Sequence, residues 1–206
     1  SQSPNQSSPI TDGTATSTIT ITINGTNDDP VIAGEDTGAV TEEGPLTTTG
    51  TLTESDVDTT DTHGWSVSGS TGSYGTLVID DPAAGDWTYT LDNTNPDVQA
   101  LPAGETLTDT ITVLVDDGNG GTDTQDVTIT ITGTNDVPSV SDDTGSVTED
   151  DDAGLLNTSG AVTITDPDSG EATFDTGSVA FTGPGGAALG ALSIDENGNW
   201  DYTVDN

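Results

Sequence analysis

Residues 133–138 read Gly-Thr-Asn-Asp-Val-Pro, and residues 25–30 carry nearly the same sequence, Gly-Thr-Asn-Asp-Asp-Pro. Pro138 lies 108 residues after Pro30, and the alternating apolar run before each motif repeats at the same distance. A repeat of about 100 residues has the size of one small domain, so the chain is predicted to be a tandem array with this motif at its joints. Proline fixes φ and lacks an amide hydrogen, which suits a stiff connector.

Segments in which apolar and polar residues alternate predict β-strands on both sides of the joints. The clearest is 16–24, which places Ile19, Ile21 and Ile23 on one face. Several similar segments follow at regular spacing, separated by turns rich in Gly and Asp, and no stretch has helical periodicity of useful length. This pattern is typical of an all-β protein built from β-sandwiches.

The repeat also predicts the domain boundaries. Residues 1–9 are interpreted as a flexible linker, because they contain mainly Ser, Gln, Asn and Pro. Residues 10–30 are interpreted as the final strand of a preceding repeat, or a donor strand, followed by a joint. Residues 31–137 are predicted to form a complete sandwich, and residues 138–206 a second repeat that lacks its last two strands.

The charge of the chain excludes several classes of partner. There are 37 Asp and Glu residues and no Lys or Arg, so the formal charge is -37. Such a chain is not expected to bind nucleic-acid phosphates, anionic lipid headgroups or the interior of a membrane. Only a cation can neutralise these carboxylates, and oxygen ligands without Cys and with a single His favour Ca²⁺. The alternative explanation is the solvated acidic surface of a halophilic protein, which is compatible with calcium sites.

Four stretches resemble the VCBS repeat of very large bacterial surface proteins, including RTX-type adhesins. They are Gly85–Asn93 (GDWTYTLDN), Val98–Leu101 (VQAL), Gly104–Asp109 (GETLTD) and Gly133–Asp136 (GTND). The resemblance implies tandem immunoglobulin- or cadherin-like Greek-key β-sandwiches strung into extracellular rods, at the cell surface or secreted.

The layout of acidic residues is also similar to that of cadherin repeats, in which calcium lies at each junction. At the second joint the resemblance implies as ligands Glu42, Asp92, Asn135, Asp136, Asp166 and Asp168. At the first joint it implies Asn27, Asp28, Asp56 and Asp58, with Asp116 from the Asp- and Gly-rich turn at residues 116–121. Calcium bound at a joint would touch both neighbours and stiffen the array.

The sequence therefore predicts a calcium-stiffened structural protein that acts as an adhesin stalk, a biofilm matrix rod or a filament subunit. Its expected partners are neighbouring repeats or copies of itself, arranged head to tail, with donor-strand exchange by residues 16–24 as one route to assembly. The alternative is an adhesion module that binds surface glycans on Trp65, Trp87 or Trp200. Rings buried in both repeats would favour the structural protein.

An enzyme is not expected from this composition. His63 is the only His, and the chain has no Cys, Lys or Arg from which to build a nucleophile or an oxyanion site. Glu42 and Glu43 are adjacent on a predicted strand and would point to opposite faces of the sheet. His63 lies in a loop beside Gly64 and is interpreted as a surface residue.

Overall fold

The computed structural model describes residues 6–11, 13, 16–149, 154–180 and 189–205. The chain divides into two compact units. The first unit comprises residues 1–98 and 106–132, and the second comprises residues 99–105 and 133–206.

The described residues of the first unit form ten strands. They are β1 (Gln6–Thr11), β2 (Thr16–Ile21), β3 (Val31–Gly34), β4 (Thr37–Thr41), β5 (Thr47–Ser55), β6 (Gly64–Val67), β7 (Gly75–Asp81), β8 (Asp86–Leu91), β9 (Thr106–Asp116) and β10 (Thr122–Thr132). One helical turn, α1 (Pro96–Gln99), lies between β8 and β9. The all-β prediction is confirmed.

Two four-stranded sheets of the first unit form a Greek-key β-sandwich. One sheet has the order β4-β10-β9-β6 and the other the order β3-β5-β8-β7. The inward residues of both sheets make one apolar core, in which Trp87 and Tyr89 from β8 and Ile111 and Ile129 from the opposite sheet have no exposed surface. This core follows from the period of two, since every second residue of a strand points to the same face.

The first strands form an antiparallel hairpin in which Gln6 pairs with Ile21 and Thr11 with Thr16. Residues 6–9 of the segment interpreted as a linker therefore lie in β1, whereas residues 1–5 lie outside the described part. The polar composition of β1 does not predict a strand, because this strand forms through backbone pairing with β2. The predicted assembly strand 16–24 is shorter than expected, because β2 ends at Ile21.

The second unit repeats part of this plan. Its strands are β11 (Ser139–Val140), β12 (Leu155–Ala161), β13 (Ile164–Thr165), β14 (Ala191–Ile194) and β15 (Asn199–Asp205). They form a sheet of order β12-β15-β14, equivalent to β5-β8-β7, and a short pair β11-β13. Within the described part of this unit, residues 141–149, the counterpart of β4 and its surroundings, are not in a strand.

Candidate metal centre

The first joint is held against the loop that follows β5 by a short chain of hydrogen bonds. The amide of Asp28 donates to Asp58 Oδ2 at 2.9 Å, and the amide of Asp58 donates to Asp56 Oδ1 at 2.8 Å. Asn27 Nδ2 donates to the carbonyl of Asp28 at 3.2 Å. The Asp-x-Asp loop therefore curls so that both carboxylates lie at the joint, and Asp58 is 2% exposed.

The second joint has the same geometry inside the second unit. The amide of Asp136 donates to Asp168 Oδ2 at 2.7 Å, and the amide of Asp168 donates to Asp166 Oδ1 at 3.1 Å. Asn135 Nδ2 donates to the carbonyl of Asp136 at 2.6 Å. Each bond has its counterpart at the first joint, so this arrangement is built by the repeated motif and does not depend on the surrounding sequence.

Two further acidic residues, Asp61 and Asp117, lie close to Asp56 at the first joint. Oxygens of Asp56, Asp61 and Asp117 all lie within 4.8 Å of one another. Ligand oxygens around one Ca²⁺ lie about 2.3–2.6 Å from the ion, so oxygens on opposite sides of it are roughly 5 Å apart. The three carboxylates therefore have the spacing of a single hard cation site. Neither Asp61 nor Asp117 was among the ligands predicted from the sequence.

Hydrogen bonds keep Asp117 charged. Asn27 Nδ2 donates to its Oδ2 at 2.6 Å, and the amides of Asn119 and Gly121 donate to its Oδ1 at 2.7 and 2.9 Å. The Asn27 amide, together with these backbone groups, holds the pKa of the Asp117 carboxyl below its usual range. A lowered pKa means that the stabilising contribution of this carboxylate is present above the unfolded-state pKa and is lost as the pH falls through the folded-state pKa.

Buried carboxylate oxygens at both joints have no hydrogen-bond donor among the described residues. They are Asp61 Oδ2, Asp136 Oδ2 and Asp168 Oδ1. A buried charged oxygen without a donor is costly, and the chain has no Lys or Arg to supply one. The donor set fits a divalent cation with a preference for oxygen, because such an ion would satisfy these atoms and offset the repulsion among the carboxylates.

Comparison with known proteins agrees with this architecture. The family model of the bacterial cadherin-like domain matches residues 27–133, which is just over half of the chain. The chain belongs to the bacterial cadherin-like domain family. No curated protein matches it.

Solved structures similar to this cadherin-like chain are themselves tandem cadherin fragments. Domains 1–4 of protocadherin gamma B7 are 20% identical with a TM-score of 0.48, covering 93% of this chain and 44% of that one. Domains 3–6 of protocadherin gamma B2 are 14% identical with a TM-score of 0.48, covering 94% and 46%. Human CDH23 EC21-23 is 18% identical with a TM-score of 0.45, covering 92% and 58%. The chain thus spans about half of these neighbours.

The remaining ligands predicted for the cadherin-like joints are placed differently. Glu42 is fully buried in the first unit, and its amide donates to the carbonyl of Thr132 at 2.9 Å. Asp92 is exposed, and its Oδ1 accepts from the amide and hydroxyl of Thr94 at 2.9 and 2.6 Å. The Thr94 hydroxyl and amide lower the pKa of Asp92. Asp92 therefore caps a local turn, and a role for Glu42 or Asp92 as a ligand stays a prediction.

Asp117, the neighbour of Asp116 in the loop after β9, enters the cluster, whereas a role for Asp116 as a ligand stays a prediction. Asp116 is exposed, and its Oδ1 accepts from the amide of Gly118 at 2.6 Å within the turn. The strand period could have shown this, since Val113 and Val115 point into the core and Asp117 continues the same face.

The adjacent pair Asp116 and Asp117 provides a test of this assignment. Asp117→Asn is expected to lower calcium affinity of the first joint at least tenfold, because it removes one ligand charge and weakens the bond to Asn27. Asp116→Asn changes the net charge equally but is expected to leave affinity within about twofold, since an exposed charge is screened by solvent. Calcium titration calorimetry at fixed ionic strength measures both. Equal effects of the two substitutions would mean that only net charge matters.

His63 is not the surface residue that the sequence suggested. Its Nδ1 lies 3.2 Å from Glu54 Oε1, its Nε2 lies 3.2 Å from Asp56 Oδ2, and its side chain is 13% exposed. It is the one side chain of the sequence that can carry positive charge near neutral pH. The ring therefore contacts Asp56 through Oδ2, whereas Oδ1 of Asp56 accepts from the amide of Asp58. Among the described residues, no helix is long and apolar enough to cross a bilayer.

Proposed function

We propose that the chain is a calcium-stiffened structural repeat of an extracellular bacterial adhesion protein of the VCBS type. It would act as an adhesin stalk, a biofilm matrix rod or a filament subunit, at the cell surface or secreted. The observation that carries this proposal is the repeated joint. The amide of Asp28 donates to Asp58 and, in the second unit, the amide of Asp136 donates to Asp168. At each joint the preceding Asn side chain also donates to the carbonyl of that connector Asp.

The position of these carboxylates supports the proposal of calcium stiffening. In each joint the connector before the repeat is hydrogen-bonded to an Asp-x-Asp loop of that repeat. An ion bound by both segments would add bonds between the connector and the body of the domain, and so restrict bending of the connector. The net charge of -37 also causes repulsion between neighbouring repeats. A bound divalent ion reduces this repulsion at the joint carboxylates, where it is strongest.

The aromatic residues of the first unit support the structural role over the glycan-binding alternative. Trp65 is 3% exposed and Trp87 has no exposed surface, so neither offers a ring face to a sugar. Both lie in the apolar core of the sandwich. Donor-strand exchange by residues 16–24 belongs to the same proposal, since Ile19, Ile21 and Ile23 are each more than half exposed.

Calcium stoichiometry tests the proposal directly. The wild-type chain is expected to bind calcium at both joints, with Asp58→Asn removing the sites of the first joint and Asp168→Asn those of the second. The exposed Asp126, whose Oδ1 accepts from the Thr112 hydroxyl within the pairing of β9 and β10, provides the matched control Asp126→Asn. Calorimetry with magnesium as a competitor separates a calcium site from general charge screening. Wild-type stoichiometry in both joint variants would refute the proposal.

A further inference from the structure

Residues 99–105 lie between α1 and β9 in the sequence, yet they belong to the second compact unit together with residues 133–206. This segment, Gln-Ala-Leu-Pro-Ala-Gly-Glu, is called the bracket loop below. Glu105 is its only charged residue, in a chain whose formal charge is -37. The bracket loop can therefore approach an acidic part of the second unit with little electrostatic repulsion.

A tight turn gives the bracket loop its shape. The amide of Glu105 donates to the carbonyl of Pro102 at 3.0 Å, and Gly104 has a φ of 81°. A positive φ at the third residue of a four-residue turn is the type II geometry, which favours glycine at that place. The turn reverses the direction of the chain, so the bracket loop has two arms, one on each side of it.

Both arms of the bracket loop close on Gly133, the first residue of the second joint. The amide of Gly133 donates to the carbonyl of Glu105 at 2.9 Å, and the carbonyl of Gly133 accepts from the amide of Gly104 at 3.1 Å. A Cβ at position 133 would meet the carbonyl oxygens of Leu101 and Pro102. The bracket loop approaches so closely that only glycine fits at the start of this joint.

The beginning of the bracket loop contacts the Asp-x-Asp loop of the second joint. The amide of Ser169 donates to the carbonyl of Ala100 at 3.1 Å. Ser169 directly follows Asp168, whose Oδ2 accepts from the amide of Asp136 at 2.7 Å. Three segments of the second unit, which are the bracket loop, the connector that begins at Gly133 and the Asp-x-Asp loop, are therefore joined in a closed ring of hydrogen bonds.

The bonds that the bracket loop makes in this ring join main-chain atoms only. They require neither a carboxylate nor a cation, so they form whether or not an ion is bound. The contact between Asp136 and Asp168 differs, because it brings two acidic residues together and their like charges oppose it. The bracket loop thus supplies bonds to both sides of the acidic joint that do not depend on neutralising its charge.

We infer that the bracket loop is a docking surface that holds the connector and the Asp-x-Asp loop of the following repeat in place without calcium. The partner that fits this surface is a repeat with glycine at the start of its joint and a backbone amide donor directly after its Asp-x-Asp sequence. An ion that binds afterwards meets Asp136 and Asp168 already side by side, which lowers the entropy cost of its binding. The inference goes beyond the proposed function, since it concerns the joint when no ion is bound.

Hydrogen exchange of single amides, measured by NMR on the full chain in chelator, tests the inference. The amides of Gly133 and Ser169 are expected to exchange roughly tenfold or more slowly than in an unstructured chain. Exchange at the unstructured rate in chelator, including protection that appears only after calcium is added, would overturn the inference. Protection in chelator that does not change when calcium is added supports the inference and counts against the calcium proposal alone.

The substitution Gly133→Ala tests the same contact by steric exclusion. Its Cβ displaces the carbonyls of Leu101 and Pro102, so the amides of Gly104 and Ser169 are expected to exchange roughly tenfold or more faster than in wild type in chelator. Gly154→Ala is the matched control, because a Cβ at residue 154 meets no described atom within 4 Å.

The control variant is expected to change exchange of the same amides by no more than about twofold. Amides of β15, which pairs with β12, report in each sample whether the sheet of the second unit is still folded. Unchanged exchange of the Ser169 amide in folded Gly133→Ala would contradict the docking. If β15 also loses its protection in this variant, the wild-type measurement in chelator decides the question by itself.

Discussion

Saturating calcium is expected to raise the melting temperature of the first unit by roughly 10–20 °C over the same protein in chelator. A ligand that binds only the folded state stabilises it by about 2.7 kcal/mol per site at one hundred times its dissociation constant. For a domain of about 100 residues, each kcal/mol shifts the melting temperature by roughly 4–8 °C. Relief of repulsion among Asp56, Asp61 and Asp117 is the physical source of this stabilisation.

Sodium at equal ionic strength is the control that decides between specific sites and a halophile-like acidic surface. Screening by Na⁺ acts on all 37 acidic residues and is expected to raise stability gradually, without saturation. Calcium at a specific site saturates, and Asp58→Asn or Asp117→Asn is expected to remove most of its effect on the first unit. The same melting curve in both salts would mean that the carboxylates at the joints are solvated side chains and do not form a specific calcium site. Hydrogen exchange by segment assigns each transition to one unit, because two units need not unfold together.

The sequence was sufficient to predict those features that depend on short-range patterns. Alternation predicted the principal strands of the first unit, and the repeated Asn-Asp joint and Asp-x-Asp loop indicated that these two segments lie close together at each joint. The hydrogen bonds from Asp28 to Asp58 and from Asp136 to Asp168 agree with that expectation. At the first joint the connector precedes β3 and the Asp-x-Asp loop follows β5. Because β3 pairs with β5, the repeated local sequence is enough to bring the connector and the loop together.

Other features depend on contacts that no local pattern contains. Strand β1 is polar and is ordered by pairing with β2, so composition indicated a linker instead. Asp117 was missed because its role depends on the face it occupies in the turn after β9, although extending the period of that strand would have selected it over Asp116. Asp61 and His63 lie in a loop without periodicity, and only the folded chain brings them beside Asp56.

Trp87→Ala is expected to cost about 3–5 kcal/mol, which is comparable with the entire stability of a domain of this size. The ring has no exposed surface, its Nε1 donates to the carbonyl of Glu35 at 2.9 Å, and it packs against Gly50. The substitution therefore opens a cavity in the core and removes the indole donor to the Glu35 carbonyl. Hydrogen exchange is expected to show the first unit largely unfolded, with the second unit unchanged.

Trp200→Ala is the matched substitution in the second unit, where Trp200 is the counterpart of Trp87. Its ring is partly exposed, and its Nε1 donates to Asp143 Oδ2 at 3.0 Å, so less burial is lost and the expected cost is about 1–2 kcal/mol. Hydrogen exchange is expected to show the second unit weakened but folded and the first unit unchanged. A cost as large as that of Trp87→Ala would contradict the difference in burial between the two rings, and a small cost accompanied by loss of binding to a glycan array would identify Trp200 as a sugar-binding residue.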